Sequence, residues 1–302
     1  MPDNEVTQTF QGKVGNVYNA DTIIQNSSEG NVPGNAVLAA TLINRGQQVN
    51  PIVRRLEEMQ ESGGVLLVVV PSLHTDYPDA FTDRCGLVEF VVRFGGIGAW
   101  QYLQHRTWPD GGGTVEEILR DLGSGLSFSK SYNKEDIEKN IAGLRQNLCF
   151  AHFVDENDWG EDGGELAKNW GHYLVSGNMQ AGERCFIVAF LCFVLGQDDS
   201  PTKRDIQRYI DNELTALSGP GGRVLVTKPL DLIRKKHALQ WRTTVREFLD
   251  DSVIGTELIS VADRLFPDPS QQRRLQEIWD DLCDAVKAAA KCRPAQFAET
   301  RR

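Results

Sequence analysis

Val65-Leu66-Leu67-Val68-Val69-Val70 is a run of six aliphatic residues with no polar face. A strand that shows one face to water alternates, whereas a run apolar on both faces needs cover on both, as a central parallel strand does. That requirement calls for helices on either side of a sheet. Pro71-Ser72-Leu73-His74-Thr75-Asp76 follows the run, where a nucleotide-binding chain would place a glycine-rich loop. A phosphate loop uses several glycines to turn backbone N–H groups onto phosphate oxygens, then a lysine and a hydroxyl residue for the terminal phosphate and magnesium. No Gly-Lys-Ser or Gly-Lys-Thr occurs in the 302 residues. Pro71 has no N–H to offer, Leu73 takes space, and Asp76 would face phosphate with like charge. The strand, turn and helix frame is expected without its nucleotide chemistry.

The rest of the chain repeats that frame. Helical periodicity runs from about Ala36 to Gln60, broken at Asn44-Arg45-Gly46-Gln47-Gln48, and a helix is expected from Pro78 to Phe90. Trp100 to Arg106 has no clear period. Thr114 with Glu117 reads as a capping box opening a helix, a second helix spans about Lys134 to Gln146, and Asn147 to Phe153 is an apolar strand. A helix from Glu165 to Leu174 and a third apolar run, Cys185 to Leu195, complete the alternation. Strands alternating with amphipathic helices predict an α/β fold with a mostly parallel sheet flanked by helices. Past Pro201 helices dominate, with one short strand at Arg223–Val226 and a long terminal helix from Leu275 to Lys291. The expected organisation is an extended amino-terminal β arm and linker over 1–35, an α/β domain over 36–217 and a helical carboxy-terminal lobe over 218–302.

Composition narrows the class. The chain is 40% hydrophobic, enough for a large core, and no apolar stretch approaches the ~20 residues that cross a bilayer. Its first residues, Met1-Pro2-Asp3-Asn4-Glu5, lack the blocks of a signal peptide, so a cytoplasmic location without membrane contact is expected. A net charge of -10 opposes non-specific binding to nucleic acid. The basic segment Arg234-Lys235-Lys236-His237, with Arg242 and Arg246, is bracketed by Asp231, Glu247, Asp250 and Asp251 and reads as a solvated helix face. Six cysteines without a CxxC spacing read as buried thiols.

Leu42-Ile43-Asn44-Arg45 with Gln48, the hydrophobic strand ending near His74-Thr75-Asp76, Phe81-Thr82-Asp83-Arg84, Trp108-Pro109 and the run Cys185 to Val194 stand in an order that resembles bacterial inactive STAND domains. These are AAA+-like relatives of signal-transducing NTPases that lack the phosphate-binding motifs. The family's usual turn is His-Gly-Asp, and Ser72-Leu73-His74-Thr75-Asp76-Tyr77-Pro78-Asp79 departs from it by having no glycine. The resemblance covers Ala36 to Val194. It implies a non-catalytic module of a bacterial conflict system that contacts another protein, either a sensor or an effector such as a protease, pore-former or nuclease.

Candidate chemistry gathers at two strand ends. Asp155-Glu156 follows the strand at 147–153 as a Walker B pair would, yet no lysine-bearing loop exists to give magnesium a phosphate to bridge. Ser72, His74, Asp76, Asp155 and Glu156 are therefore candidates for a degenerate pocket, with no catalytic residue, metal or cofactor expected. His74 stands out among the histidines because α/β folds place ligands at carboxyl strand ends. His152, inside an apolar strand, reads as a core histidine bonded to backbone. The arm, with Gly12 and Gly15 and alternating apolar residues, offers Val14, Val17, Tyr18 and Ile23 for strand addition to a partner. Trp159, in an acidic loop, reads as an exposed aromatic anchor for the same purpose. The competing readings are a nucleotide sensor or NTPase with a degenerate pocket, and a DNA-associated regulator using Arg234 to Arg246.

Overall fold

The computed structural model describes residues 17–18, 40–43, 45–94, 99–106, 108–109, 113–129, 133–160, 162, 164–218, 222–230, 232–248 and 255–291. In chain order the elements are β1 (Val17–Tyr18), α1 (Gly46–Glu58), β2 (Gly64–Leu73), a 3-10 turn (His74–Asp76) and α2 (Pro78–Arg84). A π-helical turn (Cys85–Glu89) joins α2 to α3 (Phe90–Arg93), followed by β3 (Trp100–Arg106), α4 (Val115–Gly125) and α5 (Lys134–Ala142). Then come β4 (Asn147–Asp155), α6 (Glu156–Trp159), α7 (Glu165–Val175), β5 (Phe186–Leu195), α8 (Pro201–Tyr209), a π-helical turn (Ile210–Leu214), α9 (Thr215–Leu217) and β6 (Val224–Val226). The carboxy-terminal elements are β7 (Ile233–Arg234), α10 (Lys235–Phe248), α11 (Gly255–Leu265), β8 (Gln272–Arg273), a 3-10 turn (Leu275–Ile278) and α12 (Trp279–Lys291).

The main sheet has the order β1-β3-β4-β5-β2-β6, and every pairing is parallel except that of β1 with β3. Five parallel strands flanked by helices make an α/β fold. β2 lies between β5 and β6, and the aliphatic run is buried on both faces as its composition demands. Val65, Leu67 and Val69 face a core shared with α4, α5, α7 and α8. Leu66, Val68 and Val70 face the opposite core, shared with α1, α2 and α3. Each fully buried valine or leucine contributes ~1.5–3 kcal/mol, so this one strand anchors both layers.

Right-handed crossovers that travel one way along a sheet lay their helices on one face, and those that travel the other way lay them on the opposite face. The α2–α3 connection runs from β2 past β5 and β4 to β3, and among the crossovers between parallel strands it alone takes the second face, where α1 also packs. The connections β3 to β4, β4 to β5 and β5 to β6 travel the other way and share the first face. The winding therefore reverses once, at β2.

Several elements differ from their sequence expectations. The helix from Pro78 continues through a π turn to Arg93, and the turn lies where Gly86 meets Tyr102: a Cβ on Gly86 would stand 2.5 Å from that ring. Trp100–Arg106 is a full strand, despite its polar residues, because it pairs with β4. Val224–Val226 joins the main sheet beside β2, so that sheet extends past residue 217. The terminal helix starts at Leu275 and ends at Lys291 as expected, but its first turn, Leu275–Ile278, is 3-10 rather than α-helical. A third core, around Ile233, Trp241, Val245, Phe266, Ile278 and Leu282, gathers the carboxy-terminal helices and reaches Leu42, Ile43 and Ala80.

Candidate functional site

In an open α/β sheet the crevice for ligands lies outside the carboxyl ends of strands where the winding reverses. Here that place is the end of β2 beside β5. The Ser72 hydroxyl donates to the Phe193 carbonyl at 3.1 Å, stitching the two strands at that end. The chain then makes one 3-10 turn, and its acid folds back. Asp76 accepts the Leu73 N–H on one carboxylate oxygen at 3.0 Å and the Arg274 guanidinium on the other at 2.9 Å. Arg45 donates to the Asp76 carbonyl at 3.3 Å. The carboxylate thus takes one of the backbone N–H groups that a phosphate-binding turn would present, together with a cation. Asp76 is buried inside the turn and His74 points to solvent. The buried Thr75 hydroxyl has no hydrogen-bond partner.

Tyr77 leaves the turn with a φ of 49°, a left-handed conformation that a bulky residue adopts at a cost. Its ring lies 5.0 Å from that of Trp279. Directly behind the turn, the two arginine-ended motifs meet. Arg84 donates to the carbonyls of Leu42 and Ile43 at 2.9 and 2.6 Å and pairs with Glu89 at 2.6 Å.

At the end of β4 both acids serve the local backbone. Asp155 caps α6, accepting from Asn157 N–H at 2.7 Å and Asp158 N–H at 2.9 Å, while Asp158 accepts from Asp155 N–H at 3.0 Å. Glu156 accepts the Gly196 N–H at 2.7 Å and the Ser200 hydroxyl, tying down the loop after β5. Lys203 reaches back to the Gly196 carbonyl at 2.9 Å across the same loop. The pocket candidates Ser72, Asp76, Asp155 and Glu156 are thus brought to one end of the sheet, each already engaged in holding it together.

Trp159 is not an exposed anchor. It is 1% exposed, because the capping box of α6 turns it inward onto Phe193 and Tyr209, and its indole N–H donates to Asp205 at 3.0 Å. His152 is a core histidine, but it is not bonded to backbone. It sits among Phe150, Trp108 and Trp170 with neither ring nitrogen hydrogen-bonded. Burial, and then the Arg106 guanidinium beside it on β3, lower its pKa to about 3, so the ring stays neutral. Arg106 itself is held by Asp121, Nε to Oδ2 at 2.8 Å. Burial pushes the thiols of Cys85, Cys149 and Cys192 upward, which withholds the thiolate needed of a nucleophile.

The arm candidates divide. Val14 and Ile23 lie outside the described residues, whereas the backbone of Val17 and Tyr18 pairs antiparallel with Leu103 and Tyr102 of β3. Of the basic segment, Arg234 ends β7, and Lys235, Lys236, His237 and Arg242 lie on α10, whose Ala238, Trp241 and Val245 point into the core; Lys235 pairs with Asp263 at 2.7 Å. A shallow cleft of about 460 Å³ opens at the other end of the sheet, with Glu61 and Glu183 balancing Arg184 and Arg223. Among the described residues no group of three or more histidines, cysteines or acids is placed to hold a metal, and no helix is long and apolar enough to cross a membrane.

Arg274, Tyr77 and Thr75 had no sequence signal of their own. Arg274 lies 198 residues from Asp76, and nothing in Gln271-Gln272-Arg273-Arg274 marks which arginine is used. Arg45 and Arg84 stood inside the motifs already singled out. A scan against protein-family models gave no match, and a search of curated proteins gave none.

Proposed function

We propose that the chain is a non-catalytic α/β module of the inactive STAND kind that works in a bacterial conflict system through protein contacts. It acts in the cytoplasm beside a sensor or an effector such as a protease, pore-former or nuclease, and its carboxy-terminal helices form a lobe over the crevice. One observation carries the loss of catalysis: the Asp76 carboxylate takes the Leu73 N–H and the Arg274 guanidinium at the end of β2. A triphosphate would have to displace a buried carboxylate and then meet its charge, in a turn with no lysine and no run of glycines. The single reversal of winding at β2 supports the AAA+-like assignment, since it puts this turn where a nucleotide loop would stand. Asp155 and Glu156, consumed as a helix cap and a loop tie, support the loss of catalysis as well.

Calorimetry of the full chain with ATP or GTP and magnesium tests the reading. The expected result is no saturable heat at micromolar protein. Saturable binding that Asp155→Ala abolishes would overturn it and make the protein a nucleotide sensor. Co-purification from the native host, with mass spectrometry of the bound fraction, names the partner.

A further inference from the structure

We propose that the cleft at the amino ends of β2, β5 and β6 binds a small zwitterion, an amino acid or a dipeptide, whose carboxylate meets Arg184 and Arg223 and whose ammonium meets Glu61 and Glu183. It lies at the end of the sheet opposite the turn of Asp76, and it is independent of the protein-contact reading above.

The rim of the cleft is fixed by backbone. Gly64 N–H donates to the Cys185 carbonyl at 2.8 Å, and a Cβ on Gly63 would stand 2.4 Å from that same oxygen, so the entry to β2 is clamped against the entry to β5. Cys185 N–H in turn donates to the Gly182 carbonyl at 2.9 Å, closing a tight turn over Gly182, Glu183, Arg184 and Cys185. Arg184 is the third residue of that turn, with a φ of 58°. A turn with positive φ at this position favours glycine or asparagine there, because a Cβ carries a cost. The chain keeps an arginine instead, and its exposed side chain lines the cleft. Arg223 reaches the same opening from the start of β6, its guanidinium passing beside Gly177, where φ is 88° and a Cβ would come within 3.4 Å of Nη1.

Glu61 and Glu183, also exposed, complete two charges of each sign around an opening of about 460 Å³. Among the described residues none of the four makes an ion pair or a side-chain hydrogen bond, although groups of opposite sign line the same space. A ligand of one sign would meet like charge from two of them, whereas a ligand of both signs suits all four. Guanidinium groups take a carboxylate through paired N–H donors, and carboxylates take an ammonium. Val65 and Met179, both buried, give the cleft its apolar part, against which a short side chain would rest. The volume stands near the small end of the ~300–1,000 Å³ of ligand sites, as a small polar ligand requires.

The test screens the full chain by thermal unfolding against the twenty amino acids singly and against glycylglycine, with calorimetry of each compound that raises the melting temperature. At least one is expected to bind saturably, and its methyl ester and N-acetyl derivative, each lacking one charge, should bind about tenfold more weakly. Arg184→Gly relieves the turn, so it should melt close to the parent and yet bind the same compound about tenfold more weakly. Arg223→Gln should no longer distinguish the acid from its methyl ester, and Glu61→Gln should no longer distinguish the amine from its N-acetyl derivative. Tighter binding of glycylglycine than of glycine would assign the site to peptides, and the reverse to free amino acids. No binding by any of these compounds, or equal binding by the parent, Arg184→Gly and Arg223→Gln, would overturn the proposal. Neither result bears on the non-catalytic reading, which stands or falls on the nucleotide calorimetry.

Discussion

Replacing His152 by leucine separates a trapped neutral imidazole from an ordinary bonded one. In the folded chain its pKa is lowered to about 3, against 6.5 when exposed. Below pH 6.5 the unfolded chain therefore takes up a proton that the folded chain refuses. Stability contributed by this site is complete above that pH and falls as pH drops, until the folded form also protonates near pH 3. By linkage the fall between pH 7 and pH 5 is about 2 kcal/mol, and every other titrating group is shared by parent and variant. At pH 7 the leucine also removes two buried nitrogens that make no hydrogen bond, for a net gain of about 1 kcal/mol after imperfect packing. Urea unfolding followed by circular dichroism at the two pH values measures both effects. If parent and His152→Leu lose the same stability between pH 7 and pH 5, the ring is not held neutral by burial.

Two further substitutions address the strand ends. Trp159→Ala empties a buried site and strands Asp205, and should cost ~3–5 kcal/mol in the same unfolding assay; a loss below about 1 kcal/mol would return the ring to the surface. Glu156→Ala frees the Gly196 N–H and the Ser200 hydroxyl, with an expected cost of ~1–3 kcal/mol and faster amide exchange at Gly196. Unaltered exchange there would mean that the loop is held by Lys203 alone.

The layered fold was legible because its strongest strands are apolar on both faces. Val65–Val70 and Phe186–Leu195 admit little else, and Thr114 with Glu117 marked the start of α4 by a capping box that is present. Trp100–Arg106 was not legible, since Gln101, Gln104, His105 and Arg106 hide a strand whose definition comes from β4, some forty residues on. The same limit applies to Trp159. Acidic neighbours suggested an exposed loop, but Asp155 and Asp158 use their charges on backbone N–H groups and so build the helical turn that buries the indole. Ser72, Asp76, Asp155 and Glu156 could be placed at strand ends from local pattern. What holds Asp76 could not, because Arg45 and Arg274 approach it from distant parts of the chain. Period and caps are local properties of a sequence, and counter-ions are not.

The position of β2 also governs how the chain must be made. Gly64 pairs with Phe186, so the oiliest segment leaves the ribosome roughly 120 residues before the neighbour that shields it, and Val224–Val226 is later still. At ~5–20 residues per second the wait is on the order of ten seconds, during which a sticky ribbon has no lawful mate. Folding of this molecule therefore cannot keep pace with translation, and the nascent chain is a natural client for holding chaperones.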